Sequence, residues 1–277
     1  MREANGTVIS DAGLHVTSGQ RVNADAYDRY LGRWSRLFVP SLLAAAEVQA
    51  GDRVLDVATG TGEAAVMAIP AVGSTGMVVG TDISAAMLEA ARARLSGSFR
   101  AVTADGQALP FRDASFDAVV CQLGLMFFPE PTRGLAEFRR VVRNGGCAAV
   151  CVISSPDKAP MWGPLAEALS RYLPDQRESF HLGFALADAK RLERMFITAG
   201  FRDVRVTSET RYGTTASFDE YWAAVEAGTG QMPLAYLTLS EAQRQTVREE
   251  VRAKMLPYLS EGRLEMSVEM LIGAGRA

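Results

Sequence analysis

The chain has little cysteine, little histidine and no long apolar run. Its 277 residues include three cysteines (Cys121, Cys147, Cys151) and two histidines (His15, His181). No Cys-x-x-Cys pair occurs, so neither a zinc site nor a dithiol centre is expected. All three cysteines fall in apolar stretches and read as buried thiols. A bilayer span needs roughly 20 apolar residues. None is present, so no membrane insertion is expected. There is no excess of one charge either: 29 bases against 32 acids leave a net charge of −3. That gives no electrostatic case for nucleic acid. The N-terminal stretch lacks an apolar region of secretory type, and the expected location is cytoplasmic. Internal repeats and low-complexity linkers are also missing.

The composition is that of an ordinary globular protein, 48% hydrophobic and 22% charged. The length suits one large α/β domain, or a domain with a cap. The most informative run is RVLDVATGTGE, residues 53–63. Val54, Leu55 and Val57 predict a buried strand. Gly60 and Gly62 predict a tight turn, and a helix follows. Such a unit offers backbone N–H groups to a ligand at the carboxyl end of a parallel sheet. A Walker A loop is excluded, because Glu63 rather than lysine follows Gly62. Gly60, Gly62 and Ala65 satisfy a dinucleotide fingerprint, but only as a short pattern. Asp56 and Glu63 flank the turn. Both would repel a pyrophosphate and suit a ligand bearing an ammonium group, although Glu63 also sits well at a helix start for the dipole alone.

Further along, Asp82 closes a second strand, 20 residues after Gly62. A carboxylate there can accept from both ribose hydroxyls. Capping of the next helix is the alternative, but Ser84 could supply that cap, which leaves Asp82 free for the ribose. A third strand, Phe99–Thr103, leads into Asp105-Gly106-Gln107 and then Leu109-Pro110-Phe111. A fourth leads into Gln122-Leu123-Gly124 and Phe127. Helices are expected over 62–70, ended by Pro70, over 85–95 and over 132–142. The later strands are expected at 147–153, 201–208 and 268–273. In 154–187, Pro164 and Pro174 are expected to cut a short helix. Two helices are expected in 212–262.

The run Asp56-Val-Ala-Thr-Gly60-Thr-Gly62 resembles motif I of the class I S-adenosylmethionine-dependent methyltransferases. Ala58 stands where many members have the first glycine. The ubiquinone/menaquinone-biosynthesis C-methyltransferase branch has a similar small-residue variant. Asp105 followed by Leu109-Pro110-Phe111 resembles that family's second motif. Leu135, Glu137, Arg140 and Val141 resemble a helix of the same family. The likeness covers residues 50–153.

It implies an α/β, Rossmann-like sheet of seven mostly parallel strands with an antiparallel last strand, helices on both faces and helical caps. It implies S-adenosylmethionine as cofactor and S-adenosylhomocysteine as product. Asp56, Ala58, Gly60, Thr61 and Gly62 would hold the methionine end. Asp82 and Ile83 would take the ribose side. Met87, Asp105, Gly106 and Gln107 would take the adenine side. The backbone carbonyl near Gln122 would accept from the ammonium group. An N-terminal cap would close over the donor, with Arg33 on the cofactor. Tyr30, Trp34, Phe127, Trp162, Phe184 and Trp222 are the candidate acceptor contacts, each of which core packing would also explain. Tyr27 and His181 are the candidate catalytic groups; a simply packed His181 remains an alternative.

The expected organisation is a segment 1–22, cap helices 23–48, a core 49–211 with a substrate-side segment 154–187, a lid 212–262, and a last strand 263–277. The partner expected is a small, largely apolar or aromatic molecule, methylated on carbon or oxygen. Homo-oligomerisation is left open. The competing functions are a cyclase or rearrangement enzyme on the same fold and a non-catalytic binding module. A nicotinamide-dependent dehydrogenase is disfavoured by the two acids.

Overall fold

The computed structural model describes residues 31–95, 99–228 and 230–277. Tyr27, Tyr30 and the segment 1–22 lie outside them. Valine- and alanine-rich runs build the sheet. Strands β1 (Arg53–Val57), β2 (Met77–Asp82), β3 (Phe99–Thr103), β4 (Phe116–Gln122) and β5 (Val142–Ile153) are parallel. β8 (Arg263–Arg276) returns antiparallel between β5 and β6 (Arg202–Thr215). The order is β3-β2-β1-β4-β5-β8-β6, and a two-residue β7 (Leu259–Ser260) pairs with β8. This is the expected mostly parallel sheet with its last strand reversed. The order turns back between β1 and β4, so the crevice at their carboxyl ends is the topological switch point.

The helices are α1 (Val39–Ala45), α2 (Glu63–Val72), α3 (Ala85–Arg94), α4 (Pro131–Val141), α5 (Gly163–Tyr172), α6 (Arg177–His181), α7 (Ala189–Thr198), α8 (Phe218–Glu226), α9 (Gln231–Leu237) and α10 (Glu241–Met255). They cover both faces. Trp34 packs on Gly213 of β6, which pairs with Met266. Leu192 and Phe196 of α7 pack on Gly273 of β8. Met266 and Gly273 are an odd number of residues apart on one strand, so these contacts lie on opposite faces.

Several boundaries differ from expectation, for local reasons. Pro70 sits inside α2, which runs on to Val72. In a last turn a proline forfeits only one intrahelical bond. Pro164 starts α5 instead of cutting it, as suits a first-turn position. The helix over 131–141 gives way directly to β5, so Asn144-Gly145-Gly146 lies in the strand, with Gly145 at φ +77°. β6 and β8 are 14 residues each, well beyond the spans expected for them. The insertion before the last strand holds α8, α9 and α10, three helices instead of two. α10 starts at a complete capping box formed by Ser240 and Gln243. All three cysteines are buried, as expected. Among the described residues no helix is long and apolar enough to cross a membrane.

Candidate active site

The turn after β1 carries the site. Ala58, Gly60 and Gly62 all have positive φ, +56°, +54° and +89°. Glycine adopts this region freely and alanine at a cost. A Cβ on Gly60 would meet nothing within 4 Å, so this glycine faces open space. Gly62 is different: a Cβ there would fall 2.6 Å from Leu95, so its bareness serves the packing of α3 against the turn.

Asp82 organises this turn from the end of β2. Its Oδ2 accepts from the Gly60 N–H and its Oδ1 from the Ser84 N–H, both at 2.9 Å. Ser84 caps α3 by accepting from the Met87 N–H. The cap and the acid are therefore separate, and Asp82 retains lone pairs for a ligand. Burial raises its pKa, and the backbone bonds oppose that rise. Beside it, Ile83 is an apolar side chain left 63% exposed.

Asp56 lies under the turn and is fully buried. Its Oδ2 accepts from the Thr59 hydroxyl at 2.6 Å. Burial pushes its carboxyl up to about 7, against the Thr59 bond and with help from the Asp82 charge. Asp56 Oδ1, Thr61 Oγ1, Thr81 Oγ1 and Gln122 Oε1 are buried without a hydrogen-bond partner among the described residues. Orphaned polar atoms are uncommon in native interiors. Thr61 and Gln122, both at the switch point, thus hold spare polar atoms for a ligand.

A cavity of about 30 Å³ opens there, and Thr61 and Gln122 are among its lining residues. Ala58, Thr59, Gly60, Glu63, Ala64 and Leu123 complete its floor and sides, and Leu31 and Ser35 form a roof. The Gln122 Nε2 donates to the Ser35 carbonyl at 3.0 Å. Arg36 donates to Glu63 at 2.9 Å, and Arg94 pairs with the same carboxylate. Burial alone would raise the Glu63 pKa, but the bonds from Arg36 and Arg94 outweigh it and hold it low. This corrects the expectation that Glu63 repels anions, since two guanidinium groups neutralise it.

Arg33, expected at the cofactor, instead pairs with Glu220 of α8 at 2.9 Å. Arg36, three residues on, is the arginine at the cradle. Trp34 is completely buried against Gly213, away from the cavity lining. Trp162 and Trp222 are also buried, the latter stacked on Phe218 with ring centroids 5.6 Å apart. Phe127 is half-buried and Phe184 is buried. None of these aromatics lines the cavity. His181 ends α6, half-buried, with its Nε2 3.4 Å from the Ser170 hydroxyl. It makes no bond to the cradle.

The loop after β3 meets the cradle through the Ala104 N–H, which donates to the Asp82 carbonyl at 3.0 Å. Asp105 Oδ1 accepts from the Gln107 N–H at 2.8 Å. Gln107 Oε1 accepts from the Glu130 N–H at 2.7 Å. From α4, Glu137 accepts from the Leu109 N–H, and Arg140 donates to the Leu109 and Phe111 carbonyls. The acid and arginine noted in that helix thus clamp the loop that carries Asp105. Sequence reading missed Ser35, Arg36, Arg94 and Leu123. Arg33 and Arg36 are indistinguishable by pattern, and nothing in the sequence marks Leu123.

Replacing Arg36 by alanine is expected to leave Glu63 buried with one partner. The lowered Glu63 pKa contributes stability above the carboxyl's ordinary range, and this is lost as pH falls. Half-exposed Arg36 supplies only part of it, so the loss at neutral pH is about 1–2 kcal/mol. Urea unfolding should show the variant and the parent converging as pH is lowered through the carboxylate range. Equal stabilities at neutral pH would remove Arg36 from the cluster.

A family model described as a methyltransferase domain matches residues 54–146. The Xanthomonas campestris ubiquinone/menaquinone biosynthesis C-methyltransferase UbiE is 43% identical over 126 residues, 44% of this chain and 48% of that protein. The Staphylococcus aureus demethylmenaquinone methyltransferase is 33% identical over 180 residues, 59% of this chain and 73% of that enzyme. The chain belongs to the class I S-adenosylmethionine-dependent methyltransferases, in the UbiE-like branch. It spans about half the length of the first curated relatives it matches. In fold it is similar to a Haemonchus contortus phosphoethanolamine N-methyltransferase solved with S-adenosylhomocysteine. There the TM-score is 0.56 at 16% identity, over 91% of this chain and 56% of that one. S-adenosylmethionine is the donor of this family, and the residues present suit it. Gly60 leaves room for close approach, Asp82 is an acceptor beside an exposed apolar Ile83, and Thr61 and Gln122 hold unspent polar atoms.

Proposed function

We propose that this chain transfers the methyl group of S-adenosylmethionine to a carbon or oxygen of a small, largely apolar or aromatic metabolite. A quinone-like ring is the first acceptor class to test, because the relatives' names place them on such rings. One observation carries the proposal: unpartnered Thr61 and Gln122 atoms in a cavity between the ends of β1 and β4, beside open Gly60.

The donor, when bound, supplies a methyl already activated on a sulfonium. The protein must therefore exclude water, orient the acceptor and, where necessary, take a proton. In this reading Asp82 accepts from the ribose hydroxyls while holding the Gly60 and Ser84 N–H groups in place. Gln122 and Thr61 meet the polar methionine end. Arg36 and Ser35 fasten the roof that keeps water out. Leu123 supplies an apolar wall towards the acceptor. The bound donor would supply the methyl carbon as electrophile and leave as the thioether, while these residues hold the acceptor and shield it from water; the acceptor would then give up a proton.

Incubation with methyl-labelled S-adenosylmethionine and a panel of quinols, phenols and enolic polyketides tests this directly. Label should appear in an acceptor. Tight S-adenosylhomocysteine binding with no transfer across the panel would favour the non-transferring functions. His181→Ala should slow O-methylation several-fold while sparing C-methylation at an electron-rich ring carbon, which needs no strong base. If both rates are unchanged, His181 merely packs against Ser170.

A further inference from the structure

The short segment 123–128 links β4 to the turn before α4, and it is seated at both ends. At the first end, Leu123 has φ +54° and donates its N–H to the Cys151 carbonyl at 2.9 Å. A branched side chain in that region is an uncommon, costly state held by its surroundings. Next to it, a Cβ on Gly124 would lie 2.4 Å from the Cβ of Ala58 and 2.9 Å from Cys121 Sγ. The methyl of Ala58, in the donor turn, thus occupies the notch that Gly124 leaves. At the other end the Phe128 ring fills a second notch. A Cβ on Gly106 would lie 2.3 Å from that ring, and one on Gly134 would lie 2.5 Å from it. Between these ends, the Phe127 and Phe128 N–H groups donate to Gly124 and Leu125 at 3.0 and 3.1 Å.

We infer that segment 123–128 is a coupling element that ties donor occupancy to the shape of the acceptor wall. One end interlocks with the Ala58 turn and the other with the Gly106 loop, so the segment cannot leave its seat without disturbing both sides of the donor site. By linkage, a donor that fixes the turn and the loop also fixes the segment. Leu123, the residue of the segment that lines the cavity, is then held along with the donor. The inference rests on the donor lying in the cradle as proposed above.

Hydrogen exchange reads the coupling without any acceptor. The Leu123, Phe127 and Phe128 amides are hydrogen-bonded and exchange through local opening. If opening excludes the donor, exchange slows by the occupancy factor, about 100-fold at 100 times the dissociation constant. S-adenosylhomocysteine is the probe, with the amides of α10 as a control that should not change. Unchanged exchange at 123–128 with the probe bound, or equal slowing in α10, overturns the inference. Failure of the wild-type chain to bind the probe would instead overturn the donor placement.

A second measurement isolates the notch. Gly124 has φ −107°, so alanine there is strained only by contact. Gly124→Ala is expected to weaken S-adenosylhomocysteine about tenfold, with restoration to within about threefold in the Ala58→Gly/Gly124→Ala double variant. The double variant should also melt above Gly124→Ala, because glycine at 58 removes the contact and adopts the positive φ without strain. A double variant that melts above Gly124→Ala yet binds no better shows that relief of the Ala58 contact does not reach the donor, which overturns the coupling. Should Gly124→Ala fail to fold, recovery of soluble protein by Ala58→Gly reads the same contact.

Discussion

Asp82→Ala is expected to weaken S-adenosylhomocysteine binding by about a hundredfold, near 3 kcal/mol. Two losses combine. The ribose hydroxyls lose their acceptor, and the Gly60 and Ser84 N–H groups lose theirs at 2.9 Å each. The second loss loosens the turn that presents Gly60 to the ligand. Asp82→Asn separates the two effects. Its single acceptor oxygen can retain one backbone bond, so its affinity should fall between those of parent and alanine variant. Calorimetric titration of all three proteins is the check, with circular dichroism to confirm folding. A folded alanine variant with parental affinity would take Asp82 out of the donor site.

Asp56→Asn is expected to raise stability near and above neutral pH. Burial holds the folded Asp56 carboxyl at about 7, against 3.8 as the ordinary value. The unfolded chain therefore releases this proton at lower pH than the folded one. The group's contribution to stability is fully present below the ordinary value, declines as pH rises towards 7, and is gone above it. A rise of that size corresponds to roughly 4 kcal/mol at most. Asparagine carries no charge to bury and can still accept from Thr59. The variant should gain about 1–3 kcal/mol above pH 7 and lose the declining branch of the stability profile. Urea unfolding across that pH range measures it. A variant that keeps the parent's decline would show that another group causes it.

β1, β2 and β4 were legible because each is a short apolar run ended by a turn with its own chemistry, whereas β5 starts five residues before its apolar run, largely in polar and glycine residues that carry no strand pattern. Asp82 and Ser84 could be separated from the sequence, and the structure gives them separate tasks. The β6 and β8 boundaries were not legible. β6 is an edge strand with much exposed polar surface, so residues such as Glu209, Arg211 and Tyr212 carry no apolar signature of strand. The site's roof was hidden for a different reason. Residues 31–38 turn irregularly, so a helical wheel cannot tell whether Arg33 or Arg36 faces Glu63. The acceptor side was least legible. Trp34, Trp162 and Trp222 suggested a pocket, but large aromatics are also what a cap needs for its own core. In the structure all three are buried.

The roof is fastened at three points far apart in the chain. Arg36 reaches Glu63, Arg33 reaches Glu220 and Trp34 rests on Gly213. The segment that roofs the cradle is thus tied to the helical insertion as well as to α2, and a disturbance of α8 reaches it through Arg33. A change at Glu220 alone therefore acts on the roof from outside the cavity lining.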